Sequence, residues 1–147
     1  MRRTAMEMNY ERFMKVLNKC DSKNLLKPLD DENDDLRNCH LKSDGFMDLV
    51  VEYLYSDEGW DVYSMAHYYV QEGDLMSDPE MEIRVNHGRQ MAEAITITQS
   101  AMGEYQQVYF TREDGTKLYN PRLQKELQEF LTMWLNNINI HGYLHIK

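Results

Sequence analysis

No run of apolar residues in this 147-residue chain approaches the roughly 20 needed to cross a membrane. The N-terminus, MRRTAMEMNYERF, is charged but lacks the apolar stretch of a secretory signal, so the sequence predicts a cytoplasmic protein. Cysteine is scarce: Cys20 and Cys39 are the only two, and reduced thiols are expected in that compartment rather than a disulfide. There is no Gly-rich phosphate loop and no Gly-x-Ser-x-Gly elbow, so neither nucleotide hydrolysis nor serine catalysis has a signature here. No enzymatic activity is expected. Base is also in short supply where it would matter for nucleic acid. Residues 21–114 carry 21 acids against seven bases, whereas residues 1–20 and 115–147 are each net positive. A protein that binds a duplex needs basic surface to displace phosphate counterions, so direct contact with nucleic acid is not expected. The acidic middle fits a basic protein partner instead; the bland alternative is that the charge only confers solubility.

What is present reads as a single α+β domain. Tyr10, Phe13, Met14, Leu17 and Cys20 recur at helical steps, predicting an N-terminal helix over 6–20. Pro28 and the acids that follow predict an acidic loop over 27–45. Residues 46–111 alternate apolar and polar positions between turn signals, predicting an antiparallel meander of about five strands. In the first strand Met47, Leu49, Val51, Tyr53 and Tyr55 are expected to share the packed face; in the fourth, Ile95 and Ile97. EGDLMSDPE, residues 72–80, reads as the polar connection between the second and third strands, with Ser77 or Asp78 bonding local backbone N–H groups. Asn120-Pro121 is a helix start. The stripe Leu123, Leu127, Phe130, Leu131, Trp134, Leu135 and Ile138 then predicts a long C-terminal helix over 120–141, packed with the first helix on the sheet.

Three constellations carry residue types suited to chemistry. Asp74, Asp78, Glu80 and Glu82 fail as a Mg²⁺ nuclease set, because Glu82 stands where a lysine is needed and the spacing is wrong. They fail as an EF-hand, because the ligand positions are out of register. Cys20, Cys39, His40, His141 and His145 have zinc-binding chemistry, and the last two have a His-x₃-His step. They lack any Cys-x₂-Cys, and a cysteine on an apolar helix face is explained by packing alone. Zinc therefore stays open as the one cofactor in view. His67 and His87 fall on neighbouring predicted strands, where hydrogen-bonded structural histidines are the ordinary reading.

The segments FMDLVVEYL, MAHYYVQEGDLMSDPEMEIRV, YQQVYF and YNPRLQKELQEFLTMWLNNI resemble a family of small uncharacterised proteins. Its members are carried on conjugative elements, plasmids and phages of Gram-positive gut and oral bacteria. The most specific pieces are His67–Met81 and Tyr119–Trp134. The resemblance implies no reaction and no catalytic residue; it implies cargo of mobile DNA. Small acidic cargo of that kind often counters host defence. The expectation that follows is an anti-CRISPR protein that inhibits Cas9 through an acidic surface formed by Asp30, Asp31, Glu32, Asp34, Asp35, Glu72, Asp74, Asp78, Glu80 and Glu82. The effector's channel is positive because it holds a heteroduplex by its backbone. The alternatives are an accessory binding protein of conjugation or replication, and a small zinc-stabilised interaction domain. The partner and the oligomeric state stay open.

Overall fold

Two helices lie on one face of a six-stranded antiparallel sheet, and a small hairpin closes one end of the opposite face. The computed structural model describes residues 3–21 and 38–145. The acids Asp30, Asp31, Glu32, Asp34 and Asp35 lie outside the described residues. Helix α1 spans Ala5–Asp21. Thr4 starts it with a reciprocal cap: the Glu7 N–H donates to Thr4 Oγ1 at 3.2 Å, and the Thr4 N–H donates to Glu7 Oε1 at 3.1 Å. Its buried face is Asn9, Phe13, Val16, Leu17 and Cys20. Helix α2 spans Pro121–Ile140, with Asn120 Oδ1 accepting from the Leu123 N–H at 3.1 Å and Pro121 at the first position.

Between the helices run β1 (Asn38–Leu41), β2 (Leu49–Asp57), β3 (Trp60–Gln71), β4 (Asp74–Asn86), β5 (Met91–Gln99) and β6 (Glu104–Gln107), which pair in sequence order. β7 (Tyr109–Thr111) and β8 (Lys117–Tyr119) form the separate hairpin. The α+β architecture and both helices agree with the sequence pattern. The inner face is a set of cross-strand rows. Cys39, Val51, Met65, Met81 and Ile97 form one, and Tyr53, Tyr63, Ile83 and Ala94 form another. Phe13 of α1 meets Tyr63 edge-on at 5.7 Å between ring centroids. Each fully buried side chain of this size contributes about 1.5–3 kcal/mol of transfer free energy.

Four local expectations differ from the structure. Residues 38–41, read as part of the acidic loop, form the edge strand β1; four residues are too few to display a period. The polar connection shrinks to a two-residue turn, Glu72-Gly73, with both residues at positive φ, and the rest of EGDLMSDPE belongs to β4. The predicted fifth strand breaks at Val108, which is fully buried: its N–H donates to Ile95 O and its carbonyl accepts from the Asn120 N–H, both at 2.9 Å. Finally, irregular register at Leu54 and at Ile95 reverses the pleat. A one-residue slip moves every later side chain to the other face. Tyr55 consequently faces outward, opposite Val62, and Ile95 leaves the inner set to Ala94 and Ala92.

On the outer face the hairpin covers a charged cluster. Glu93 is only 1% exposed. Its Oε1 accepts from Arg84, at 2.7 Å from Nε and 2.6 Å from the terminal nitrogen. Its Oε2 accepts from the Tyr109 hydroxyl at 2.5 Å and from Gln124 Nε2 at 2.7 Å. The Arg84 guanidinium lies 4.0 Å from the Trp60 ring centroid and 4.7 Å from that of Tyr109. Burial, and then the bond to Glu93, pushes the Tyr109 phenol up to about 12. Four donor contacts compensate the buried carboxylate, which is what makes its burial tolerable. Arg84→Met removes the cation and leaves the acid, and is expected to cost about 3–5 kcal/mol in urea unfolding. Adding Glu93→Gln should recover much of that loss. A double variant no more stable than Arg84→Met would show that the charge pair is not what the cluster contributes.

Candidate functional site

The acidic segment separates in three directions. Glu72 and Asp74 are exposed at the β3–β4 turn. Asp78 turns to the helix side of the sheet, where it and Pro79 line a cavity. Glu80 and Glu82 point to the outer face. The register fixes this. Glu52, Ser64, Glu82, Thr96 and Gln107 lie in one outer row, and His40, Val50, Ala66, Glu80, Thr98 and Tyr105 in the next. Both acids are held. Tyr68 donates its hydroxyl to Glu80 Oε1 at 2.7 Å, and Thr96 donates to Glu82 Oε2 at 3.0 Å. Burial and the Glu80 contact push the Tyr68 phenol up. Glu52, Tyr55 and Tyr105 are exposed around them. The result is an outer face of three carboxylates interspersed with tyrosines. Glu52 was missed by the sequence reading because nothing along the chain links it to the Glu72–Glu82 segment.

Ser77 does not bond its local backbone as expected. Its hydroxyl meets Ser100 Oγ at 2.9 Å, and its N–H donates to the same oxygen at 3.2 Å, tying β4 to the 3-10 turn Ser100–Met102.

The cavity, of about 260 Å³, opens between the C-terminal half of α2, the β1–β2 connection and an irregularity in the β3–β4 pairing. There His67 lies opposite the Asp78-Pro79 pair, between the registered pairs Ala66–Glu80 and Tyr68–Ser77. His67 Nδ1 donates to Asp48 O at 3.2 Å. Its ring is 5.5 Å from that of Trp134 and 5.6 Å from that of Tyr143. Burial lowers its pKa, partly opposed by the Asp48 carbonyl and reinforced by His141. Phe46 and His141 stack at 4.1 Å with planes 11° apart. Tyr143 anchors the wall by donating its hydroxyl to Met47 O. The Trp134 indole N–H is the one buried side-chain polar atom without a hydrogen-bond partner among the described residues.

The zinc candidates do not gather as one ligand set. Cys20 and Cys39 are buried neighbours that no disulfide joins, and the hydrogen bond to Cys39, then burial, pushes the Cys20 thiol up. His40 is exposed on the outer face of β1. His141 is stacked in the cavity wall, and the His145 carbonyl accepts from Lys19 Nζ at 3.3 Å. Among the described residues no group of three or more His, Cys, Asp or Glu is arranged to hold a metal. His87 and His67 do not pair: His87 Nδ1 meets the Tyr10 hydroxyl at 3.0 Å, and its Nε2 lies 3.4 Å from Asp61.

The model of a family described as a domain of unknown function, DUF6908, matches residues 8–144. The chain belongs to the DUF6908 family. No curated protein and no solved structure matches it. The DUF6908 span contains the whole cavity and the outer acidic face. Among the described residues no helix is long and apolar enough to cross a membrane.

The lowered His67 pKa gives a signed expectation. The unfolded chain protonates near the ordinary value of 6.5, before the folded ring does. Stability therefore falls as pH drops through that value, and the loss ends below the folded pKa. Urea unfolding at about pH 8 and about pH 5.5 should show a smaller loss in His67→Gln than in the parent. An identical pH dependence in the two would assign the loss to other groups.

Proposed function

We propose that this domain is a non-enzymatic binding protein that offers its outer sheet face to a basic protein surface. One observation carries the reading: the strand register brings Glu52, Glu80 and Glu82 onto the same face, beside Tyr55, Tyr68 and Tyr105. Acids give steering and specificity, and tyrosines give amphipathic contact area with few rotamers to lose. The hydrogen bonds from Tyr68 and Thr96 favour this by fixing two of the three carboxylates before any partner arrives. The acidic balance of residues 21–114 supports the same sign of partner. The specific form of the proposal is inhibition of a Cas9-type effector through its positive nucleic-acid channel. That form rests on the resemblance to mobile-element cargo and on charge.

The test is target cleavage by Cas9 with and without the protein, at low and near-physiological salt. The parent should inhibit, less so as salt rises, since the Debye length shrinks to about 8 Å at 0.15 M. Glu52→Lys/Glu80→Lys/Glu82→Lys should lose inhibition while unfolding at a similar urea concentration. A parent without effect on cleavage removes the Cas9 form. Undiminished inhibition by the triple variant removes the acidic face from the mechanism.

A further inference from the structure

Cys20 and Cys39 are the only cysteines of the chain, and the fold sets them side by side in the core. Cys20 lies in the last turn of α1, on the buried face it shares with Phe13, Val16 and Leu17. Cys39 lies in β1 opposite Val51, at the end of an inner cross-strand row. The two elements pack on each other, and the thiols meet in a hydrogen bond at exposures of 0% and 1%. Either cysteine alone is explained as a small apolar filler. The pair satisfies a further condition. Cysteines whose side chains point apart cannot be bridged without backbone movement, and these two point together.

We propose that Cys20 and Cys39 form a reversible disulfide that ties the edge strand β1 to the end of α1 when the surrounding thiol pool turns oxidising. A reducing compartment holds such a pair as thiols, so the bridge reports a change in that pool. The ring it closes carries Asp30, Asp31, Glu32, Asp34 and Asp35 in its sequence. Closing a ring of roughly 20 residues restricts the unfolded chain, which favours the folded one. The hydrogen bond to Cys39, and then burial, raises the Cys20 thiol, so the closed protein reacts slowly. Access comes through β1, a strand of four residues at the edge of the sheet, paired with β2. Such short edge elements open locally without global unfolding. Opening exposes Cys39, whose thiolate attacks one sulfur of a small disulfide such as oxidised glutathione. One small thiol leaves, and a mixed disulfide remains on Cys39. The Cys20 thiolate then attacks the Cys39 sulfur, the second small thiol leaves, and the Cys20–Cys39 bond forms. The protein thiols give up two electrons and two protons, which the small disulfide takes up in becoming two thiols.

The experiment equilibrates the whole protein with mixtures of reduced and oxidised glutathione, in native buffer and in enough urea to unfold it. Acid quenching and peptide mapping then give the fraction carrying the Cys20–Cys39 bridge. The folded protein should hold the bridge at a glutathione ratio about tenfold or more as reducing as the unfolded chain tolerates. Amide hydrogen exchange at Asn38–Leu41 should slow on oxidation and recover with dithiothreitol, since the bridge removes the local opening. Cys39→Ala should show no such redox dependence. The proposal is overturned if the folded protein yields only glutathione adducts or intermolecular dimers. It is overturned equally if folding does not favour the bridge over the unfolded chain, or if exchange in β1 is the same in both redox states. The pair is then core packing alone. The outcome is independent of whether the outer face inhibits a Cas effector.

Discussion

The buried carboxamide of Gln128 joins the three layers of contact on which the fold depends. Strand β6 pairs only with residues 96–99 of β5, which leaves the backbone of Ala92–Ala94 as an open sheet edge. Gln128 covers it: Nε2 donates to Ala92 O at 2.9 Å, and Oε1 accepts from the Ala94 N–H at 3.3 Å. An amide presents the same donor and acceptor pair as a neighbouring strand, so it satisfies an edge that would otherwise be buried and unpaired. The Gln128 carbonyl then accepts from Thr132 Oγ1 at 3.0 Å, and Asn9 Nδ2 of α1 donates to Thr132 Oγ1 at 2.9 Å. Sheet edge, α2 and α1 are thereby fixed in register by polar contacts with directional geometry. Apolar burial drives the layers together; this chain of amides sets which residue lies over which.

The strand irregularities decide where chemistry is available. A regular β3–β4 ladder would place His67 and Asp78 in an ordinary row of cross-strand neighbours. The shifted pairing instead gathers His67, Asp78 and Pro79 beneath α2, while Glu80 and Glu82 stay outside. One acidic stretch therefore serves two surfaces. The irregularity at Ile95 has a comparable effect at the other end, where Ile95, Trp60, Arg84 and Tyr109 line a second hollow of about 220 Å³. The Arg84 guanidinium lies against the aromatic walls there, and Glu93 below holds it. That hollow is accounted for by the buried charge pair.

Along the chain, the signals that were legible were those of period and punctuation. The stripe from Leu123 to Ile138 and the Asn120-Pro121 start give α2 because a helix displays its buried face every three or four residues. Met81, Ile83 and Val85 give β4 its inner face by strict alternation, and all three are fully buried. Thr4 and Glu7, which the apolar stripe alone did not bring into the reading, cap the start of α1. Asn9 and Gln128 were silent, because a polar residue inside an apolar stripe shows its role only when its partner is known.

Composition and local pattern by themselves determined an α+β chain with an acidic middle, two amphipathic helices and a meander, because these follow from contacts within a few residues. Tertiary structure decided which acids share a face, because strand register is a property of pairs. It decided that Tyr55 and Ile95 turn outward, because one extra residue in one strand reverses the pleat for all that follow. It also decided that Phe46, His67, Asp78 and Trp134 border one cavity. Those four residues span nearly ninety positions of chain, and no local rule relates them. Only the closing of α2 over the inner face brings them together.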